Sequence, residues 1–265
     1  LWNIENEIRP LVPMVYYHVW DNYPYPKFNK AFYESNDKIV SISKVTYDIV
    51  STVAPSVDGE YLPHTTNTDI FNIRPEKEVK EFKLQSFPDD KNTDKFLVMF
   101  NSRNARRKQS GSLIYWFKAF LDRVGHDKAT LIMHTDPKDP HGQDLNVILK
   151  ELGLLNGQVM LSEDKYPPEI LAMMYNMVDC TVSVSDAEGF GLSTFESLSC
   201  GTPIIVTMTG GLQEQVTDGE EWFGIGIEPS SKAIIGSQEV PYIYEDRLCE
   251  KDVVDALMTM YNMTQ

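Results

Sequence analysis

Short apolar runs alternate along the chain with segments in which apolar residues recur every three or four positions. The short runs, rich in β-branched residues, predict strands, and the longer spacing predicts helices. The predicted strands cover residues 11–20, 38–43, 96–100, 129–134, 159–161, 180–185, 204–206 and 223–227. The predicted helices cover about residues 113–121, 141–153, 168–175, 193–201 and 252–263. Because strands and helices alternate, the pattern predicts an α/β fold with a parallel sheet flanked by helices.

The stretch between residues 180 and 206 carries a strand, a glycine turn, a helix and a second strand in succession. Two carboxylates flank the Gly-Phe-Gly turn, Glu188 within the turn and Glu196 in the first turns of the helix. N–H groups at the start of a helix form a ready anion site. This arrangement suits a diphosphate with a sugar on each side, because N–H groups bind phosphates and carboxylates bind sugar hydroxyls.

Composition is that of an ordinary globular protein, with 42% hydrophobic and 24% charged residues among 265. The formal net charge of −15 argues against nucleic acid or an anionic membrane as a partner of the whole surface. No stretch reaches the ~18 apolar residues that a membrane-spanning helix needs. Cys180, Cys200 and Cys249 show neither a disulfide framework nor metal-ligand spacing, which predicts reduced thiols in a cytoplasmic protein.

The central stretch resembles the Glu-x7-Glu signature of retaining GT-B glycosyltransferases, and most closely that of family four, the group 1 glycosyl transferases. The resemblance rests on Glu-Gly-Phe-Gly-Leu at 188–192, a second glutamate after seven intervening residues, and Cys-Gly-Thr-Pro-Ile-Ile at 200–205. It implies that Glu188 contacts the transferred sugar and that Glu196 binds the ribose of the nucleotide. The backbone expected to hold the phosphates and sugar of the donor is that of Gly189, Phe190, Gly191 and Leu192.

Three other interpretations of the same turn are open. One is a Rossmann-like turn with two solvated carboxylates. A dinucleotide fingerprint fits less well, because Thr194 stands where the third glycine belongs and the turn lies late in the chain. Asp186 and Glu188 also mimic the metal-binding carboxylate motif of the other large glycosyltransferase fold, but the helix that follows directly with Glu196 argues against that motif.

Four cations, Arg103, Arg106, Arg107 and Lys108, follow the strand at 96–100 in a strongly acidic protein. Taken alone, they form a solvated basic loop. The family pattern places an arginine directly after this strand and a lysine a few residues later, both on the donor diphosphate, and Arg103 and Lys108 match those places. Arginine offers phosphate a planar fork and lysine a compact charge. Arg106 and Arg107 are expected to be peripheral, although a slip in register would exchange Arg107 for Lys108.

Further candidates lie at the ends of other predicted strands, where α/β sheets place ligands. His18 alone is typical of a core or edge histidine, but the family often carries at a comparable strand end a histidine that hydrogen-bonds the transferred sugar. Asp21 follows in a loop, where aspartate is usually a turn former. Gly210 and Gly211 open a later helix and are similar to a family segment near the donor sugar, which predicts sugar-side backbone contacts.

Two histidines and two aspartates between His134 and His141 superficially suggest a metal site. Pro137 and Pro140 make this segment a rigid loop instead. The family's catalysis does not depend on a metal, so neither an essential metal nor another cofactor is expected.

The family resemblance implies a GT-B-like fold, with a Rossmann-like donor domain and a partial N-terminal Rossmann-like domain. The predicted division is the C-terminal part of an acceptor-side domain at 1–75, a linker at 76–94 and a nucleotide-sugar donor-binding domain at 95–265. The linker includes the polar segment Pro-Asp-Asp at 88–90. Because the family usually has a complete N-terminal domain and the chain begins at Leu1, the chain is expected to be a fragment.

The resemblance predicts an enzyme, a retaining hexosyltransferase that moves a sugar from a nucleoside diphosphate sugar to an acceptor hydroxyl. Arg103, Lys108 and the N–H groups of Gly191 and Leu192 would face the charge that grows on the departing diphosphate. The acceptor is a glycan, a protein or a small molecule. Two alternatives are open: a GT-B-like sugar-nucleotide epimerase or hydrolase, and a truncated nucleotide-binding fragment without activity.

Overall fold

The computed structural model describes residues 2–87 and 94–264. Its strands are β1 (Val15–His18), β2 (Lys38–Ser41), β3 (Asp58–Tyr61), β4 (Phe96–Asn101), β5 (Ala129–His134), β6 (Val159–Ser162), β7 (Cys180–Ser183), β8 (Ile204–Thr207), β9 (Gly224–Ile227), β10 (Ser231–Ile235) and β11 (Ile243–Arg247). Its α-helices are α1 (Glu5–Ile8), α2 (Lys30–Glu34), α3 (Lys44–Val53), α4 (Glu76–Ser86), α5 (Ser110–Val124), α6 (Leu145–Glu151), α7 (Pro168–Met177), α8 (Leu192–Ser199), α9 (Gln213–Val216) and α10 (Glu250–Thr264).

The larger sheet contains six parallel strands in the order β6-β5-β4-β7-β8-β9. Its central strand β4 reads Phe-Leu-Val-Met-Phe, and residues 96–100 are all buried. A parallel strand covered by helices on both faces needs apolar residues at every position, which explains the unbroken run. The α/β fold with a parallel sheet, predicted from the sequence, is therefore confirmed.

Strand β4 supplies the cores on both faces of this sheet. Phe96, Val98 and Phe100 join the cluster beneath α5, α6 and α10, whereas Leu97 and Met99 join the cluster beneath α4 and α7. The alternation follows the period of two that an extended chain imposes on its side chains. The sheet is thereby held between two helical layers.

A smaller sheet contains β1, β2 and β3, which are also parallel. With α1–α3 it forms what we call the small lobe, and β4–β11 with α4–α10 form the large lobe. The core of the small lobe includes Ile39 on β2 and Ile49 on α3, both fully buried. Helix α3 begins after Ser43, whose hydroxyl oxygen accepts a hydrogen bond from the Thr46 N–H at 3.1 Å, an N-cap that satisfies one free helix donor.

Glu214 of the large lobe joins the two lobes. Its Oε1 accepts a hydrogen bond from the backbone N–H of Lys44 at 3.0 Å, and its Oε2 accepts one from the Tyr61 hydroxyl at 3.0 Å. A carboxylate at the first turn of a helix is favourable, because the N–H groups there have no intrahelical acceptors. This contact places the ends of β2 and β3 beside the large lobe, with a cleft between the two lobes.

The large sheet has a topological switch point between β4 and β7. From β4 the chain moves outward through β5 to β6, and then returns to β7 on the other side of β4 before moving outward again to β8 and β9. The loops that follow β4 and β7 therefore leave the sheet in opposite directions and open a crevice between them. Ligands of open α/β sheets bind at such a crevice, beyond the carboxyl ends of the strands.

The structure differs from the sequence predictions at several element boundaries. Strand β1 covers only four residues of the predicted run at 11–20, and Leu11 and Val12 are exposed. Helix α8 begins at Leu192, one residue before its predicted start. The antiparallel hairpin formed by β10 and β11 was not predicted at all.

The segment predicted as a linker, 76–94, carries helix α4, which packs on α7 of the large lobe. Its Pro-Asp-Asp part at 88–90 lies outside the described residues. The division of the chain at 1–75, 76–94 and 95–265 stays a prediction.

Candidate functional site

A cleft of about 830 Å³ lies between the two lobes, at the switch point of the large sheet. The small lobe contributes Val19, Trp20, Asp21 and Asn22, which follow β1. The large lobe contributes the loop after β4, the glycine turn after β7 and parts of α8 and β11. The cleft is large enough for a ligand of drug size, and its walls come from segments far apart in sequence.

The loops after β4 and β7 are fastened to each other by backbone and side-chain hydrogen bonds. The N–H of Asp186 donates to the carbonyl oxygen of Arg107 at 2.8 Å, and Gln109 Nε2 donates to Asp186 Oδ2 at 2.7 Å. Between these bonds, the ammonium of Lys108 forms an ion pair with the Glu188 carboxylate. The two residues predicted to act on the diphosphate and the sugar are thus brought together at the floor of the cleft.

Lys108 is only 8% exposed, although it carries a charge. Burial lowers the pKa of Lys108 to about 7, the nearby positive charge of Arg107 adds to this effect, and Asp21 opposes it. Arg107 itself lines the cleft and donates from Nη1 to the carbonyl oxygen of Ala187 at 2.5 Å. A buried lysine beside an arginine is arranged to receive an anion, since a phosphate group would stabilise both charges.

The glycine turn depends on a residue that sequence reasoning missed. Gly191 has φ of +92°, a left-handed conformation that glycine adopts without strain, and it caps the start of α8. Gln215 Nε2 donates to the carbonyl oxygens of Phe190 at 2.6 Å and of Gly191 at 3.1 Å. Gln215 Oε1 accepts from the Thr194 hydroxyl at 2.6 Å. With its carbonyls held from behind, the turn presents the first N–H groups of α8 toward the cleft.

Glu196 lines the cleft, one helical turn beyond the start of α8. Its Oε2 accepts a hydrogen bond from the Tyr175 hydroxyl at 2.9 Å, and that hydroxyl accepts one from Asn101 Nδ2 at 2.7 Å. Burial raises the pKa of Glu196, while the Tyr175 hydrogen bond lowers it. Tyr175 is fully buried in the core, and its hydroxyl also orients this carboxylate.

Gly210 and Gly211 lie directly behind the Glu188 turn. The N–H of Gly211 donates to the carbonyl oxygen of Glu188 at 2.9 Å. A Cβ added to Gly210 would lie 2.0 Å from that same oxygen, so no other residue fits there without displacing the turn. Both glycines are buried and support Glu188 from behind rather than lining the cleft. Their predicted direct contact with the sugar stays a prediction.

Arg103 lies outside the residues that line the cleft. Its guanidinium forms a two-point ion pair with Asp139 in the loop after β5, at 2.6 Å and 3.2 Å. Of the four cations after β4, Arg107 and Lys108 line the cleft. The predicted role of Arg103 on the diphosphate stays a prediction, and reaching the cleft would require it to leave Asp139.

His18 does not line the cleft either. It is 5% exposed, its Nε2 shares a hydrogen bond with the Tyr33 hydroxyl at 3.0 Å, and burial lowers its pKa to about 4. The imidazole is therefore neutral at physiological pH. It lines a separate cavity of about 270 Å³ in the small lobe, which shares Val19 and Trp20 with the wall of the cleft.

The unpredicted hairpin contributes a buried charge network to one wall of the cleft. Glu245 on β11 is 4% exposed and accepts two hydrogen bonds from Arg106, at 2.9 Å and 2.6 Å. Arg247 on the same strand pairs with both Glu245 and Asp186. The only sequence signal was the run of charges at 245–247, which is typical of a solvated strand edge. The guanidinium of Arg106 is therefore bound to the hairpin, and Arg106 does not line the cleft.

The described part of the chain contains no metal-binding cluster. Across residues 2–87 and 94–264, no cluster of three or more His, Cys, Asp or Glu side chains is arranged to hold a metal ion. In the segment between His134 and His141, Asp139 pairs with Arg103, and His134 stacks on Tyr166 with ring centroids 5.5 Å apart. Among the helices of the same described ranges, none is both long and apolar enough to cross a membrane.

Sequence comparison matches residues 81–239 of the chain to a family described as glycosyl transferases group 1. Among curated relatives, a D-inositol 3-phosphate glycosyltransferase of Thermomonospora curvata is 36% identical over 94 residues. That match covers 35% of this chain and 21% of the relative. The chain therefore spans only a minor part of the length of this relative.

Two solved structures share the fold at low sequence identity. An α,α-trehalose-phosphate synthase (UDP-forming) from Burkholderia vietnamiensis superposes with a TM-score of 0.70 at 12% identity, over 99% of this chain and 62% of that chain. Anabaena HepE, in complex with UDP and glucose, superposes with a TM-score of 0.67 at 14% identity, over 96% of this chain and 63% of that chain. These similarities confirm the predicted GT-B-like, Rossmann-like architecture.

Proposed function

Because the chain belongs to the glycosyl transferases group 1 family, we propose that its cleft binds a nucleoside diphosphate sugar and transfers the sugar to an acceptor hydroxyl with retained anomeric configuration. One observation carries the proposal. At the switch point of the large sheet, Lys108 pairs with Glu188 beside the start of α8, so cations, free N–H groups and a carboxylate surround one position.

The donor is proposed to lie along the switch-point crevice. Glu196, held by Tyr175, accepts hydrogen bonds from the ribose hydroxyls. The diphosphate lies between the first N–H groups of α8 and the charges of Arg107 and Lys108. Glu188 then reaches the hydroxyls of the transferred sugar. All the residues that contact the donor in this arrangement line the same cleft, which supports the proposal that one donor contacts them together.

In the proposed reaction, the bond between the anomeric carbon and the diphosphate oxygen breaks as the acceptor oxygen bonds to the same face of that carbon. The acceptor proton passes to the departing phosphate oxygen, so no covalent sugar–enzyme intermediate is needed. Negative charge grows on the diphosphate as the sugar becomes oxocarbenium-like. Lys108, Arg107 and the helix N–H groups are fixed before the reaction, and preorganised donors of this kind stabilise a transition state most effectively.

The first nucleotide to test is UDP. One structure with the same fold contains UDP and glucose, and another belongs to a synthase named for forming UDP. The acceptor is proposed to approach from the small lobe, where Trp20, Asp21 and Asn22 line the opposite wall. A glycan, a protein or a small molecule with a free hydroxyl would each satisfy the chemistry.

Glu196→Ala is expected to weaken the binding of the matching nucleoside diphosphate by about 10- to 100-fold, because a hydrogen bond to a charged group contributes about 1.5–3 kcal/mol. Calorimetric titration with UDP, GDP and ADP measures the effect. Glu151→Ala, at an exposed position on α6, is the matched control and should bind as the wild type does. Equal affinity in wild type and Glu196→Ala would contradict the proposed nucleotide position.

Donor binding is also expected to depend on pH through Lys108. Its pKa is lowered to about 7, so the ammonium is charged below pH 7 and becomes neutral above it. Affinity for an anionic sugar nucleotide should therefore be highest below pH 7 and fall by up to about tenfold per pH unit above it. A sugar nucleotide suits the titration because its diphosphate diester has no ionisation near neutral pH. Lys108→Arg stays charged and should flatten the profile; a steep fall in that variant would speak against Lys108 as the titrating group.

A further inference from the structure

One carboxylate of the small lobe lines the cleft but has no role in the reaction proposed above. His18, at the end of β1, turns into a separate cavity and bonds to Tyr33. Asp21, three residues further on, lines the cleft itself. The loop after β1 therefore presents an acidic side chain, and not the imidazole, to the space above the Glu188 turn.

Asp21 approaches both glycine turns of the large lobe closely. Its Cβ lies 3.1 Å from where a Cβ on Gly210 would stand, and its Oδ2 lies 4.0 Å from where a Cβ on Gly189 would stand. These two glycines flank the backbone of Glu188. Because neither glycine carries a side chain, the carboxylate of Asp21 comes within reach of whatever Glu188 holds.

The other carboxylates that line the cleft already have side-chain partners. Glu188 pairs with Lys108, Glu196 accepts from Tyr175, and Glu245 accepts from Arg106. The carboxylate of Asp21 accepts a hydrogen bond from its own backbone N–H, and within residues 2–87 and 94–264 no side chain donates to it. Burial raises the pKa of Asp21 above its ordinary value, and the charges of Arg107 and Lys108 only partly oppose this effect. A half-buried carboxylate with free acceptor positions is satisfied when a ligand supplies donors.

We propose that Asp21 contacts the transferred sugar of the donor and accepts hydrogen bonds from its hydroxyl groups, opposite Glu188. The inference rests on the proposed function, because it needs a sugar nucleotide in the cleft. An ionised carboxylate accepts hydrogen bonds and donates none. The matching donor carries a neutral, hydroxyl-bearing sugar, since a sugar carboxylate at this position would meet two like charges, Asp21 and Glu188.

The experiment compares sugar nucleotides with their parent diphosphates. Calorimetric titration of the full chain uses UDP, GDP and ADP, then UDP-glucose, UDP-N-acetylglucosamine, GDP-mannose, ADP-glucose and UDP-glucuronate. The wild type should bind at least one neutral sugar nucleotide more tightly than its parent. In Asp21→Ala the affinity for that sugar nucleotide should fall at least about tenfold, and the affinity for the parent diphosphate should change less than about twofold. Asp58→Ala, at an exposed position of the small lobe, should change neither affinity.

Each contrary outcome has a distinct meaning. A wild-type chain that binds none of the three diphosphates contradicts the proposed function. If the chain binds a diphosphate but binds no sugar nucleotide more tightly than the parent diphosphate, the proposed role of Asp21 is wrong and the proposed function is unaffected. The same holds if Asp21→Ala weakens diphosphate and sugar nucleotide equally, or if UDP-glucuronate binds more tightly than every neutral sugar nucleotide. Thermal unfolding of Asp21→Ala and of the milder Asp21→Asn checks that both variants are folded at the temperature of the titrations.

Discussion

Lys108→Met should lower turnover of the sugar nucleotide by about 10²- to 10³-fold, the usual effect of removing one preorganised donor from a developing oxyanion. Methionine keeps the length and the apolar packing of the buried side chain but cannot carry the charge that faces the departing diphosphate. Release of the nucleoside diphosphate, to an acceptor or to water, measures the rate. The loss should appear mainly in kcat, because the charge on the diphosphate grows in the transition state.

Lys108→Met also removes the nearer of the two cations that pair with Glu188 and leaves only Arg107, 3.9 Å away, which can cost up to about 3–5 kcal/mol of stability. Thermal unfolding therefore accompanies the kinetics, and the double variant Lys108→Met/Glu188→Gln should recover stability without recovering turnover. Lys118→Met, on the surface of α5, removes an equal charge far from the cleft and should be as active as the wild type. A fully active Lys108→Met chain would remove Lys108 from the proposed mechanism.

Gly210→Ala should reduce turnover by about 100-fold, although Gly210 does not line the cleft. The new methyl group would lie 2.0 Å from the carbonyl oxygen of Glu188, which is backbone and cannot rotate away. The turn must then move, and it takes with it the hydrogen bond from Gly211 and the ion pair with Lys108. The overpacking should also lower the free energy of unfolding by about 1–3 kcal/mol.

The matched control for this variant is Gly153→Ala. Gly153 has φ of +70° and Gly210 has φ of +48°, so both substitutions force alanine into the left-handed region. A Cβ on Gly153, however, meets nothing within 4 Å. Gly153→Ala therefore reports the backbone strain alone, about 1–2 kcal/mol, and should leave turnover unchanged. If both variants lowered the free energy of unfolding equally and kept full activity, the close contact between Gly210 and Glu188 would have no role in function.

Local sequence patterns were sufficient for much of the fold. The unbroken apolar run of β4 and the strand, glycine turn and helix from β7 to α8 could be recognised because each depends on neighbouring residues. The spacing of Glu188 and Glu196 belongs to one turn and one helix, so both glutamates were found from sequence and both line the cleft.

The missed features involve partners that are distant in sequence. Arg106 and Glu245 are 139 residues apart, and no local sequence pattern around either residue predicts that they pair. Asn101, Tyr175 and Glu196 lie on β4, α7 and α8, and only the parallel packing of the large lobe brings them into one hydrogen-bonded chain. The hairpin of β10 and β11 was missed because its strands are short and partly exposed, so they lack the apolar run of a buried parallel strand.

The sequence by itself determined the α/β class, the six strands of the large sheet, and the two glutamates of the central turn, because hydrophobic period and turn chemistry act over a few residues. Only the tertiary structure decided which polar side chains meet. It places Lys108 against Glu188, pairs Arg103 with Asp139, and presents Asp21 rather than His18 to the cleft. A side chain's surroundings depend on packing between distant elements, and at the switch point those elements come from two lobes.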